Sequence, residues 1–208
     1  MRVSTSSTRS LLKPCGLSLP EHTQPSGSAP LGERAEDSPR FHVLFDSPIG
    51  PLRLATSNAG ITGIYMHEPT HPPRPEDLGI QLASPTEHPI LAQCASELEQ
   101  YFAGQRTVFS VPLDAHGTEF QQRVWDKLVS IPFGQSRSYG ELAIQLGDAK
   151  LTRAVGTANG RNPISIVVPC HRVIGADGSL TGYAGGLERK LFLLRLEGIV
   201  PPAEDTLF

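Results

Sequence analysis

The hydrophobic period of this chain changes once, and that change limits the folds open to it. Between Phe41 and Met66 lie three short segments, FHVLF, GPLRLATS and GITGIYM, rich in β-branched and aromatic residues. Ser-Pro-Ile-Gly and Asn-Ala-Gly separate them, so they read as an antiparallel meander. From about residue 89 onward, apolar residues recur at helical spacing instead. Strands gathered first and helices afterwards give an α+β architecture.

The helical half carries its own punctuation. A Pro-rich loop is expected over about residues 68–89. PILAQCASELEQYFAG then puts Ile90, Leu91, Cys94, Leu98 and Phe102 on one helical face and ends at Gly104. Cys94 falls in that stripe and reads as a core cysteine. Thr118 and Gln121 form a capping box ahead of a face made by Phe120, Val124, Trp125, Leu128 and Val129. Ser138 and Glu141 form a second box, opening a short helix through Leu146 that stops at Gly147. A third helix is expected over about Leu151–Asn159. Two short helices joined by a glycine-containing turn match a helix-turn-helix. The predicted organisation is a tail over 1–40, a sheet-plus-helix domain over 41–112, a mostly helical domain over 117–199, and a tail over 200–208.

Composition removes several function classes. Residues 1–40 are rich in Ser, Thr, Pro and Gly and are expected to be disordered. Their acid-free first twenty residues also suit an organellar transit peptide, although a plain tail is the favoured reading. No run of about 18 apolar residues exists, so no membrane span is expected. Cys15, Cys94 and Cys170 are scattered and form neither a CxxC pair nor a zinc-spaced cluster. A reducing compartment, the cytoplasm, fits best; an organelle or nucleus would follow in a eukaryote. His67 and His71 are four apart, but the surrounding prolines forbid the helix that would bring them together on a metal. The net charge of −3 argues against nonspecific nucleic-acid binding. It is uneven, however: residues 118–199 carry ten Lys/Arg against seven Asp/Glu. The positive part is the part with the motifs.

The third helix, LTRAVGTANG, is the candidate recognition element. Ala154, Gly156, Ala158 and Gly160 are small, and Arg153 is its only charge. A helix reading base edges in the major groove usually carries more polar side chains. Small residues instead permit close backbone approach, either to a minor groove or to another helix.

The most informative stretch is NPISIVVPCHRVIGADGSLTGYAGG, residues 162–186. An apolar run that reads as a buried strand, Ile164–Val168, ends at Pro169, Cys170, His171 and Arg172. A cysteine attacks as its thiolate, and a free thiol is only a few per cent ionised near neutrality. His171 is the adjacent base. In extended backbone neighbouring side chains point apart, so a sharp turn or a bridging water is needed. The base also needs an orienting carboxylate, and Glu197, at the end of LERKLFLLRLEG, is the strongest candidate. By spacing alone, a buried structural cysteine beside an unrelated histidine remains open.

VPCHRVIGADGSLTGYAGG closely resembles the active-site block of the O6-alkylguanine-DNA alkyltransferases, also called methylated-DNA–protein-cysteine methyltransferases. The resemblance extends through TEFQQRVWDKLVSIPFGQSRSYGELA, TRAVGTANGRNPISIVVPCHR and LERKLFLLRLEG, covering about residues 117–199. It is looser over 41–112, where DSPIGPLRLA matches best. It implies a ribonuclease-H-like N-terminal domain and a winged-helix-like C-terminal domain. Cys170 would be the alkyl acceptor, His171 its base acting through a water, and Glu197 the carboxylate orienting His171. Asn162 would brace the active-site turn. Tyr139 would lie beside the target phosphate and donate a proton to the leaving guanine. Arg153 would enter the base stack, with Ala154, Gly156 and Ala158 docked in the minor groove. Val168, Val173, Tyr183 and Ala184 would line the pocket.

The resemblance further implies double-stranded DNA with alkylated bases as the partner and a flipped-out target. It implies a monomer in solution, with cooperative assembly on DNA left open, and a single turnover ending in a thioether. No cofactor is implied. The cysteines that bind zinc in some relatives are not evident here. Ser165 stands where some relatives have proline, and Cys170 where non-reactive relatives have tryptophan. Two other functions compete: a lesion-binding protein that does not transfer, and a cysteine hydrolase using Cys170, His171 and Glu197.

Overall fold

The computed structural model describes residues 39–67 and 71–201. The expectations for residues 1–38, Cys15 among them, and for the last seven residues lie outside the described residues. The meander is present: β1 (Phe41–Phe45), β2 (Leu52–Thr56) and β3 (Ile61–Met66) pair antiparallel in sequence order. Gly50 makes the first turn possible, with φ at 94° and its amide donating to Ser47 O at 3.0 Å.

The Pro-rich stretch is not the plain loop its composition suggests. It holds a one-turn helix, α1 (Pro75–Leu78), a short strand, β4 (Ile80–Gln81), and a 3₁₀ turn at Pro85–Glu87. Proline is tolerated at the first helical position, where its missing amide costs nothing. Gly79, at φ 68°, passes so close to the Arg40 carbonyl that a Cβ would collide with it. That approach lets Ile80 N reach Arg40 O at 2.8 Å and pairs β4 parallel to β1. The sheet order is β3-β2-β1-β4.

The outer edge of β3 is covered by two passing segments. Ile61 exchanges bonds with Pro112 O and Asp114 N, both at 2.8 Å. Ile64 N donates to Pro163 O at 2.8 Å, and Ser165 N to Ile64 O at 3.3 Å. Covering the edge removes a template for aggregation. It also ties residues 163–165, from the other half of the chain, to the sheet.

Helix α2 (Pro89–Phe102) packs on the sheet with Leu91, Cys94, Ala95, Glu97, Leu98 and Tyr101 buried. Ile90 and Phe102 of the expected stripe are only partly buried. Both expected capping boxes form, at Thr118 before α3 (Glu119–Val129) and at Ser138 before α4 (Tyr139–Gln145). Val129 is half-exposed, at the edge of the face that buries Val124, Trp125 and Leu128. A 3₁₀ turn at Ala149–Leu151, capped by Asp148, leads into α5 (Thr152–Gly160), which packs on α3 and α4. Strands β5 (Arg137–Ser138) and β6 (Val173–Ile174) pair parallel, and α6 (Leu187–Leu196) ends at Glu197. One hydrophobic core runs through both halves.

Candidate active site

The apolar run before Cys170 is a closed turn rather than the buried strand its composition suggests. Asn162 staples it: its Oδ1 accepts from Ile164 N at 3.0 Å and its Nδ2 donates to Val168 O at 2.8 Å. Between those bonds Ile166 is held at φ 74°. A β-branched residue there costs on the order of 1–3 kcal/mol and persists only where its surroundings over-determine it. Ile166 is fully buried, and that burial offsets the strain.

The chain then tightens into a 3₁₀ turn over Cys170–Arg172. This supplies the sharp bend that adjacent Cys and His side chains require. Cys170 is buried, and Asn159 Nδ2 reaches its carbonyl at 3.4 Å. Burial pushes the thiol pKa up. The Asn162 side chain, the Lys190 charge and the amides of Cys170 and His171 pull the other way. His171 is fully buried, and burial pushes its pKa down against the pull of Glu197. The resting pair is therefore a neutral thiol beside a neutral imidazole.

Glu197 collects donors from four places. Oε1 accepts from His171 Nε2 at 2.8 Å, Tyr101 Oη at 2.7 Å and Arg172 Nη2 at 3.0 Å. Oε2 accepts from Arg172 Nε at 2.8 Å and Gly134 N at 3.4 Å. Burial alone would raise this carboxyl, yet the His171 and Arg172 contacts hold it down to about 2. It is then ionised and cannot donate, so His171 must carry its proton on Nε2. That leaves a lone pair on Nδ1, a buried atom with no protein partner.

A folded-state value near 2 against an ordinary 4.5 also fixes a sign for stability. The contribution is complete above pH 4.5 and is lost as pH falls toward 2. Wild-type protein should lose thermal stability steeply across that interval. A variant carrying Gln at position 197 should show a shallower decline, read by melting at each pH.

Tyr101, Arg172 and Lys190 escape a motif-based reading. Arg172 sits in the PCHR run, where the motif itself points to no partner for it. Tyr101 lies 96 positions from its partner. Lys190 belongs to LERK, which reads as a solvated helix start, yet it is fully buried. Its ammonium donates to Val173 O at 2.6 Å and Thr181 O at 2.8 Å, and burial lowers its pKa to about 8. No carboxylate among the described residues pairs with it.

A groove of about 570 Å³ opens between α5 and the 181–184 loop; Cys170 does not line it, but two residues that do, Tyr139 and Tyr183, lie close enough to feel its charge. Tyr139, Arg153, Gly156, Tyr183 and Ala184 are among its lining residues. Tyr139 Oη donates to Thr181 O at 3.2 Å, and the Tyr183 hydroxyl is buried without a partner. Arg153 and Ala154 are exposed. Ala158 is not on that face: its side chain is buried and its carbonyl accepts from Trp125 Nε1 at 3.0 Å. Helical periodicity turns it inward, opposite Arg153. Val168 and Val173 do not line the groove either. Both side chains are in the core, and their carbonyls are taken by Asn162 and Lys190.

Residues 41–115 match the family model described as 6-O-methylguanine DNA methyltransferase, ribonuclease-like domain. Residues 119–199 match the 6-O-methylguanine DNA methyltransferase, DNA binding domain. The methylated-DNA–protein-cysteine methyltransferase of Mycobacterium leprae is 53% identical over 152 residues, covering 73% of this chain and 88% of the relative. The crystal structure of the Mycobacterium tuberculosis O6-methylguanine methyltransferase superposes with a TM-score of 0.68 at 48% identity, covering 81% of this chain and 99% of that one. The same TM-score and identity hold for the Mycobacterium tuberculosis OGT in complex with DNA, over 76% of this chain and 92% of that one. The α+β fold matches theirs, and the chain belongs to the 6-O-methylguanine DNA methyltransferase family.

Proposed function

We propose that this protein reverses DNA alkylation directly, moving the alkyl group from O6 of a flipped-out guanine to Cys170. The observation that carries the reading is the buried Cys170–His171–Glu197 arrangement on a tight turn beside the groove lined by Tyr139 and Arg153. His171 Nδ1, unprotonated and unpartnered, would take the thiol proton through a bridging water. The thiolate attacks the alkyl carbon in line, the C–O6 bond breaks, and its electrons pass to the guanine. Tyr139 would supply the proton that the leaving guanine needs, releasing its present bond to Thr181 O. The product is a thioether, which is not hydrolysed, so each molecule acts once.

An alkyl group inside the duplex is out of reach of a buried thiol, so the base must leave the stack at a cost of a few kcal/mol. Arg153, exposed at the groove, would fill the gap, with Ala154 and Gly156 against the minor groove. Arg153→Ala should slow repair of duplex DNA by ten- to a hundredfold, since roughly 1.4 kcal/mol is tenfold. Reaction with free O6-methylguanine base should stay within about twofold on the same grounds. Equal slowing of both would remove Arg153 from base flipping. The same reaction, run with O4-methylthymine in the duplex, reads out substrate range. A protein that binds the lesion tightly and gains no mass would be a lesion sensor instead.

A further inference from the structure

We propose that Tyr101 is a positioning residue for this reaction: its hydroxyl, brought from α2 in the N-terminal half, fixes Glu197 and so sets how tightly His171 holds a proton. The inference rests on the alkyl-transfer reading for its kinetic consequence, but not for its effect on His171.

The geometry is specific. Tyr101 Oη donates at 2.7 Å to Oε1 of Glu197, the same oxygen that receives His171 Nε2 at 2.8 Å. Two donors on one oxygen compete for its electron density. Each hydrogen bond to the carboxylate stabilises its charge and weakens its pull on the imidazole proton. Tyr101 therefore opposes the protonation of His171, which as a base must stay neutral until it accepts the thiol proton.

The hydroxyl is aimed by packing. The Tyr101 ring is fully buried, edge-on to Phe102 and Phe133 with centroids at 5.5 and 6.2 Å, and tilted on Phe109 at 5.3 Å. Burial and the adjacent carboxylate hold its own pKa far above the ordinary tyrosine value, so it remains a neutral donor.

The other charged and titratable groups around His171 do not replace it. Arg172 grips both oxygens of Glu197 and, like Lys190, disfavours a charged imidazole. Cys170 is the proton source, and the buried hydroxyl of the partly buried Tyr183, near Cys170, Tyr101 and Glu197, makes no hydrogen bond to any of them. Apart from His171 itself, Tyr101 is the one neutral side chain among the described residues that bonds Glu197 Oε1, so altering it removes no charge.

The test is the titration of the His171 imidazole nitrogens by NMR in the full chain, assigned with His171→Gln. Tyr101→Phe keeps the ring and removes only the donor, so His171 should titrate at higher pH than in wild type. Fluorotyrosine at position 101, a stronger donor, should move it to lower pH. In parallel, the rate with free O6-methylguanine base is followed against pH. The acid limb of Tyr101→Phe should shift to higher pH, with the rate recovered at the alkaline end. A purely structural role would give a loss uniform across pH, and that result, or an unmoved His171 titration in both variants, overturns the proposal. Should wild type react with neither the base nor an O6-methylguanine duplex, alkyl transfer falls while the titration still decides the role of Tyr101.

Discussion

Cys170→Ala should abolish alkyl uptake. Mixed with a duplex carrying one O6-methylguanine, wild type should gain about 14 Da on the Cys170 peptide and stop at one per molecule, while the variant keeps its mass. The expectation follows from the environments of the two cysteines described. Cys94 is buried in α2, where burial and the Glu97 carboxylate push its thiol up to about 12. Of the two, Cys170 is the one followed directly by a histidine, whose Nδ1 carries no proton. The substitution removes one sulfur from a packed site and should cost only about 1–2 kcal/mol of stability. Loss of transfer with binding to the lesion retained would therefore report chemistry and not unfolding. A variant that still gained mass, on whichever peptide, would put the acceptor elsewhere.

Glu197→Gln should have the second-largest effect, and it acts twice. The carboxylate orients His171 and neutralises Arg172 in one buried contact. Converting it to an amide leaves the Arg172 guanidinium without a counter-charge, and breaking a buried pair from one side costs about 3–5 kcal/mol. For a chain of this size that is roughly 10 °C of melting temperature. The base also loses its fixed tautomer, and a misplaced general base lowers the rate by about 10²–10⁴. Rates must be taken below the variant's melting transition. A folded Glu197→Gln protein that reacted at the wild-type rate would remove the relay from the mechanism.

Local signals make much of the fold legible in the sequence. The strand segments and the two capping boxes are set by neighbours within a few residues and form as expected, while the α2 face buries Leu91, Cys94 and Leu98 but leaves Ile90 and Phe102 partly exposed. Cys170, His171, Glu197 and Asn162 were named from motif and resemblance, and the structure brings them into one cluster. Long-range partners were not visible. Nothing in QYFAG marks Tyr101 as a donor to a carboxylate 96 positions away. Lys190 was hidden because a lysine in an amphipathic start normally faces water, and only the carbonyls of Val173 and Thr181 explain its burial. Ala158 misled for the opposite reason: smallness suits both a groove contact and a core contact, and composition does not choose. The Ile164–Val168 run has a strand's composition, but Asn162 closes it into a turn from outside the run.

The bond from Tyr101 to Glu197 also says when a molecule becomes able to react. During synthesis Tyr101 and the sheet leave the ribosome early, Cys170 and His171 much later, and Glu197 after every other member of the cluster. Until Glu197 arrives, His171 has no acceptor to fix its tautomer and Arg172 no counter-ion to draw it inward. Closing so long a loop is also entropically slow, so the contact should be among the last to form. A partly made chain then carries an unactivated thiol. The base of Cys170 is therefore complete only once the whole cluster has closed. Its timing resides in the order of residues along the chain.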